Sequence, residues 1–168
     1  MRPSPLIIAA LLATTGPAYA AATIERVDVR GLDNALMTQN INVNLSINNE
    51  TGKRVGESRL EFLLNEAQAE AREALEPFGY YSPEITVDAP RPGGDDERIT
   101  VTVTVVLGEP VRVRQSHLII EGEGNDDEYL QRDLGAFRPR IGEVLDHITY
   151  EASRNLVTRR LAERGYLD

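Results

Sequence analysis

Cysteine and tryptophan are both absent from the 168 residues. Without a thiol neither a disulfide nor a thiolate metal site can form, so the fold must be held by its own apolar core. The same absence disfavours the small disulfide-stapled secreted class, although it excludes no compartment. Histidine is almost as scarce, with His117 and His147 the only two. With no cysteine near either, a transition-metal site lacks ligands, and both read as surface or hydrogen-bonded side chains. Positive charge is in deficit: 18 basic residues stand against 27 acidic ones, for a net charge of -9 and a pI near 4.8. Readers of nucleic-acid backbones need a basic footprint, so nucleic acid is excluded as a partner, and polybasic attachment to lipid is disfavoured. No nucleophile elbow and no Gly-rich phosphate loop frames the serines and carboxylates. No catalytic, cofactor-binding or metal residue is therefore assigned, no cofactor is expected, and the chain reads as a non-enzyme.

Long apolar runs are also lacking, except at the start. Leu6-Ile7-Ile8-Ala9-Ala10-Leu11-Leu12-Ala13 follows a single positive residue, Arg2, and is too short to span a bilayer. Ala18-Tyr19-Ala20 then supplies small residues around a cleavage point, so residues 1–20 read as a secretory signal peptide. Its removal takes away one basic and no acidic residue, making the charge of -9 one unit more negative. Asn49-Glu50-Thr51 matches a glycosylation sequon that matters only in a eukaryotic secretory pathway, and it is treated as chance.

What is present is a repeat. A helical pattern ends at Phe78-Gly79-Tyr80-Tyr81-Ser82-Pro83, and another runs into Arg164-Gly165-Tyr166-Leu167-Asp168. Glycine just past a helix takes the left-handed conformation that closes the last turn, and the aromatic after it folds back onto the apolar face. Gly79, Tyr80, Tyr81, Gly165 and Tyr166 are thus assigned structural roles, the tyrosines in core or inter-module packing. Each copy comes a similar distance after a strand ending in glycine, Val27-Asp28-Val29-Arg30-Gly31 and Leu118-Ile119-Ile120-Glu121-Gly122. Self-similarity at this spacing predicts tandem copies of one small module, residues 21–108 and 109–168.

In the first copy, Val27 and Val29 alternate with charged residues as a half-buried strand requires. A helix is predicted over 35–47 with Leu36, Ile41, Leu45 and Val43 inward, weakened by Asn40, Asn42 and Asn44. Asn48 to Lys53 reads as a turn. Ser58-Arg59-Leu60-Glu61 fits a capping box. The helix that follows has an apolar stripe of Leu60, Leu63, Leu64, Ala67, Ala71, Ala74, Leu75 and Phe78, and the acidic residues opposite read as a solvated face. Glu84 to Asp88 alternates as a short strand, Pro90 to Glu97 is a loop by composition, and Ile99, Val101, Val103, Val105 and Leu107 alternate with threonines in a longer strand. The order strand, helix, helix, strand, strand predicts an α+β layer, a three-stranded mixed sheet with two helices over one face.

Gly108-Glu109-Pro110 marks the boundary. The second copy opens with Val111, Val113, Leu118 and Ile120 in an extended segment, then a short helix capped by Asp126 or Asp127 and carrying Leu130 and Leu134. Asp146 caps a second helix with Ile148, Ala152, Leu156, Val157 and Leu161 at helical spacing. The last two strands have no counterpart, so this copy reads as incomplete, a piece of a longer protein. Asp95-Asp96-Glu97 and Asp126-Asp127-Glu128 lack EF-hand spacing and read as a loop and a helix start.

Gly79-Tyr80-Tyr81-Ser82-Pro83, Gly108-Glu109-Pro110-Val111, Tyr150-Glu151 and Gly165-Tyr166-Leu167-Asp168 together resemble the POTRA domains of the outer-membrane assembly-factor superfamily, the TamA family above all. The resemblance implies a periplasmic, chaperone-like arm at the outer membrane, preceding a C-terminal β-barrel of the parent chain. It also implies a role in inserting or exporting outer-membrane proteins such as autotransporters, with unfolded outer-membrane protein clients and a TamB-like inner-membrane-anchored partner. A structural POTRA-type domain of a two-partner secretion transporter or a cell-division protein is the alternative. With the POTRA strand order, Glu84 to Asp88 is an edge, and Ile85, Thr86 and Val87 are the candidate partner-binding residues, acting through β-augmentation.

Overall fold

The computed structural model describes residues 21–90 and 97–166. The expected signal peptide at 1–20, most of the Pro-Gly loop (91–96) and Leu167-Asp168 lie outside them. Four strands and four helices follow the order β1 (Ala22–Arg30), α1 (Ala35–Asn44), β2 (Arg54–Val55), α2 (Glu57–Glu73), β3 (Glu84–Asp88), β4 (Glu97–Val106), α3 (Glu128–Gly135) and α4 (His147–Glu163).

All four strands join one sheet in the order β2-β1-β4-β3, so the architecture is mixed α+β with four strands where three were predicted. The extra strand is β2, whose Val55 and Arg54 pair antiparallel with Ala22 and Thr23. Two residues are too few to show an alternation, and this stretch sits beside a turn cluster, which is why it escaped the reading of the sequence. β1 runs parallel to β4, with a register shift between Ile24 and Arg26 that keeps Val27 opposite Val101 and Val29 opposite Val103. Without that shift the valines of β1 would face the wrong side of the sheet.

The core lies between the sheet and α1 and α2. Ile24, Ile99, Val101, Val103 and Val105 from the strands meet Leu60, Leu63, Ala67 and Ala71 from α2 and Met37 and Ile41 from α1, all buried. Each fully buried leucine or isoleucine contributes about 1.5–3 kcal/mol relative to exposure. The α2 stripe is the predicted one, but its cap is not. The helix starts at Glu57 after Gly56, with no side-chain cap, so Ser58 lies inside the first turn. Extended Gly56 leads the chain straight from β2 into the helix and leaves no room for a cap at Ser58.

α1 also departs from expectation. Leu36 and Val43 point outward, 60% and 76% exposed, while Met37, Ile41, Leu45 and Ile47 are buried. The helix ends at Asn44 and a 3-10 turn, Ser46–Glu50, carries Ile47 inward, so a single helical phase does not describe the run. The asparagines that weakened the helix pattern are in use. Asn40 donates to the Ala74 carbonyl at the end of α2 at 2.7 Å, and Asn48 donates to Asn42 O at 2.7 Å. They satisfy carbonyls that a helix end otherwise leaves open.

Beyond β4 the expected strand at Val111, Val113, Leu118 and Ile120 is not formed. Among the described residues only an isolated bridge, Arg112 with Val144, marks this extended segment. A strand needs a ladder, and among the described residues no strand pairs with Leu118 to Glu121; its neighbours, Leu134 of α3 and Val157 and Leu161 of α4, are helical. The two helices form as predicted: Asp127 caps α3 by accepting from Tyr129 N and Leu130 N, and Asp146 caps α4 by accepting from Thr149 N. No residue of α4 is buried; Ile148 and Ala152 are exposed, and Leu156, Val157 and Leu161 are only half-buried. The two helices cover each other, but no sheet covers both.

The two helical ends that carry Gly-Tyr share their backbone detail. Tyr80 N donates to Leu75 O and Gly79 N to Glu76 O; Tyr166 N donates to Leu161 O and Gly165 N to Ala162 O. Both helical ends therefore close with the same crossed pair of bonds around a left-handed glycine, φ 87° at Gly79 and 78° at Gly165.

Candidate functional site

The strand order leaves β3 on the rim of the sheet. Its inner side is engaged with β4: Ile85 lies opposite Val105, Thr86 opposite Thr104 and Val87 opposite Val103. No described strand lies on its outer side. Ile85 is buried against the core, Val87 half-buried beside it, and Glu84, Thr86 and Asp88 are exposed on the other face. The residues thus divide as the pleat requires, apolar toward the helices and polar toward solvent. Gln68 of α2 reaches the rim, donating from Nε2 to the Ile85 carbonyl at 2.9 Å, a contact with no signature in the sequence. The opposite rim is less open. β2 covers the start of β1, and further along Asp28 is tied to Arg26 at 3.3 Å and Arg30 at 3.4 Å, the kind of charged decoration that blunts an edge.

Residues 26–105, which hold both rims and both covering helices, match the family model described as POTRA domain TamA domain 1. This stretch is a POTRA domain. Among solved structures the chain is similar to Haemophilus influenzae BamA POTRA3-5, at 15% identity and TM-score 0.39, over 88% of this chain and 52% of that one. It is also similar to BamA from Haemophilus ducreyi lacking POTRA domains 1-3, at 20% identity and TM-score 0.41, over 85% of this chain and 24% of that one. The chain thus spans about half the length of the first and about a quarter of the second.

The helix stop inside the POTRA domain is also where the rest of the chain attaches. Gly79 O accepts from Val111 N at 2.8 Å, and Val111 O accepts from Leu145 N at 2.8 Å, so the main chain links the domain's helix stop to the turn before α4. Tyr81 Oη and His147 Nε2 are 2.8 Å apart across this junction. Tyr80 turns the other way and packs against the core. One tyrosine of the pair therefore serves the domain and the other its neighbour. His147 is held by that contact; His117 lies on the surface beside Gln115, Ser116 and Ile141.

A second polar cluster ties the two ends of the helical segment. Asp127 caps α3 and also takes an ion pair from Arg164 and a hydrogen bond from Tyr166 Oη at 3.2 Å. Burial pushes the Asp127 carboxyl up, but the hydrogen bonds from Arg164 and from the Tyr129 and Leu130 amides, with the Arg164 charge, outweigh it and hold it below the ordinary 3.8. Its contribution to stability is complete above that ordinary value and is lost as the pH falls through the lowered one. Glu50 is lowered too, first by its hydrogen bond with Lys53 and then by Arg59, but it belongs to the POTRA domain. Asp127→Asn should therefore melt lower than the parent at neutral pH, and the gap should shrink as the pH falls below the carboxyl's ordinary 3.8. Thermal melts followed at the tyrosines check this; a gap independent of pH would remove the ion pair from the account.

Proposed function

We propose that this chain is the periplasmic interaction arm of an outer-membrane assembly and translocation factor, and that its β3 rim recruits an extended segment of a client or partner by β-augmentation. The observation that carries this reading is the position of β3, engaged with β4 on one side and bordered by no described strand on the other, inside a stretch that is a POTRA domain. Main-chain pairing is indifferent to most of the added strand's sequence, which suits a factor that handles many unfolded outer-membrane proteins, autotransporters among them. No helix among the described residues is long and apolar enough to cross a membrane. Attachment through a C-terminal β-barrel of the parent chain is part of the same proposal. The division into modules at 21–108 and 109–168 belongs to the same proposal, as does a TamB-like partner anchored in the inner membrane.

The mechanism needs no reacting group. Ile85, Thr86 and Val87 supply backbone donors and acceptors, and the packed core behind Ile85 keeps the rim straight enough to template a partner. The test is a photo-cross-linking scan in the full-length protein in cells. A photoreactive residue at exposed Thr86 should capture envelope proteins, while one at Glu66, on the exposed face of α2, should not. Equal capture at both positions, or none at Thr86, would remove β3 as the recruiting surface.

A further inference from the structure

One hydrogen bond lies on the rim of the sheet without belonging to the sheet. Gln68 donates from α2 to the Ile85 carbonyl at 2.9 Å. In an antiparallel pair the main chain of successive residues points alternately toward the partner strand and away from it. We infer that Ile85 is one of the outward residues and that Gln68 is a latch, its carboxamide occupying the acceptor that an added strand must use. The inference rests on the rim-recruitment reading above and names what controls it.

The period of two then makes Val87 the other outward residue, with Thr86 between them directing its main chain toward Thr104. An arriving segment pairs with Ile85 only by displacing Gln68 and presenting a backbone N–H at that register. Segments with proline there are rejected, because they have no donor to offer. The Gln68 side chain is largely exposed, so a displaced carboxamide exchanges its bond for water, and the latch opens under modest binding energy. Glu84 and Asp88 lie exposed at the two ends of the strand. The occupant that fits is an extended segment alternating apolar with polar residues and carrying basic side chains spaced to meet those carboxylates.

Gln68→Met keeps the length of the side chain and removes the donor. The probe is a fluorescent peptide alternating valine and threonine with a lysine near each end, titrated by anisotropy against the whole chain. The Met variant should bind about threefold to tenfold more tightly than the parent, the gain from not breaking one hydrogen bond. Val87→Pro, which removes an outward donor, should weaken binding in either background. Equal or weaker binding by the Met variant, with the parent binding normally, would overturn the latch and leave rim recruitment standing. Binding by neither protein, both folded by circular dichroism, would overturn both. Tighter binding by the Met variant that Val87→Pro leaves untouched would place the peptide elsewhere and overturn the outward assignment of Ile85.

Discussion

Gly31→Ala should destabilise the POTRA domain by about 3 kcal/mol or more, whereas Gly122→Ala, at the corresponding place in the expected second copy, should cost only about 1–2 kcal/mol. Both glycines have positive φ, 88° and 95°, a conformation in which an L side chain is strained. The difference lies in what surrounds them. A Cβ on Gly31 would sit 2.1 Å from the Val105 carbonyl oxygen, while one on Gly122 would meet nothing within 4 Å. Val105 cannot yield cheaply, because β4 is held between β1 and β3 and its side chain is buried. Relieving the overlap means pulling β1 from β4 at the end where Arg30 pairs with Thr104. Urea titrations of the two variants, with amide exchange at Val103 reporting on the sheet alone, check the expectation. Equal losses in the two would show that β1 and β4 do not approach so closely at this turn.

Those two glycines also show what could be read in advance. Residue types that act locally left their mark: Gly31 at the end of β1, Gly79 and Gly165 at helical ends, the alternation from Ile99 to Val105, and the apolar stripe that runs along α2 and on to Phe78. Each follows from the period or the conformational range of its own backbone. Strand β2 is hidden because two residues carry no period, and Leu36 and Val43 face outward because the buried line of α1 steps by four through Met37, Ile41 and Leu45, and neither lies on it. The strand expected at Leu118 to Ile120 has the right composition, but strand formation depends on a neighbour that composition cannot supply. At the site, the strand and its apolar face were legible, since Ile85 and Val87 alternate with polar residues. The Gln68 bond to Ile85, the Asn40 bond to Ala74 and the Tyr81–His147 contact were not. Each joins residues distant in sequence through a side chain whose local pattern says only that it is polar.

Gly79→Ala should loosen the POTRA domain from the helical segment that follows it, while Gly165→Ala should leave their relation unchanged. Both residues close a helical end with the same crossed hydrogen bonds and comparable positive φ, so both substitutions carry a similar strain of about 1–2 kcal/mol. Only at Gly79 is there a neighbour: a Cβ there would lie 2.7 Å from Val144 Cγ1 and 3.0 Å from the Leu145 carbonyl oxygen, and at Gly165 there is nothing within 4 Å. The valine methyl can rotate away, but the carbonyl belongs to a residue whose own N–H is bound to Val111 O at 2.8 Å. Moving it strains the bond from Val111 N to Gly79 O and separates Tyr81 from His147, the contacts that connect the two parts of the chain. Spin labels at Glu66 and Thr158, both on exposed helix surface, would read the consequence as a distance distribution. It should be narrow in the parent and in Gly165→Ala and several-fold broader in Gly79→Ala, with helical content retained in all three. A distribution that stays narrow in Gly79→Ala would mean that the orientation is set elsewhere, and the glycine that stops the domain's second helix would be left with no part in holding its neighbour.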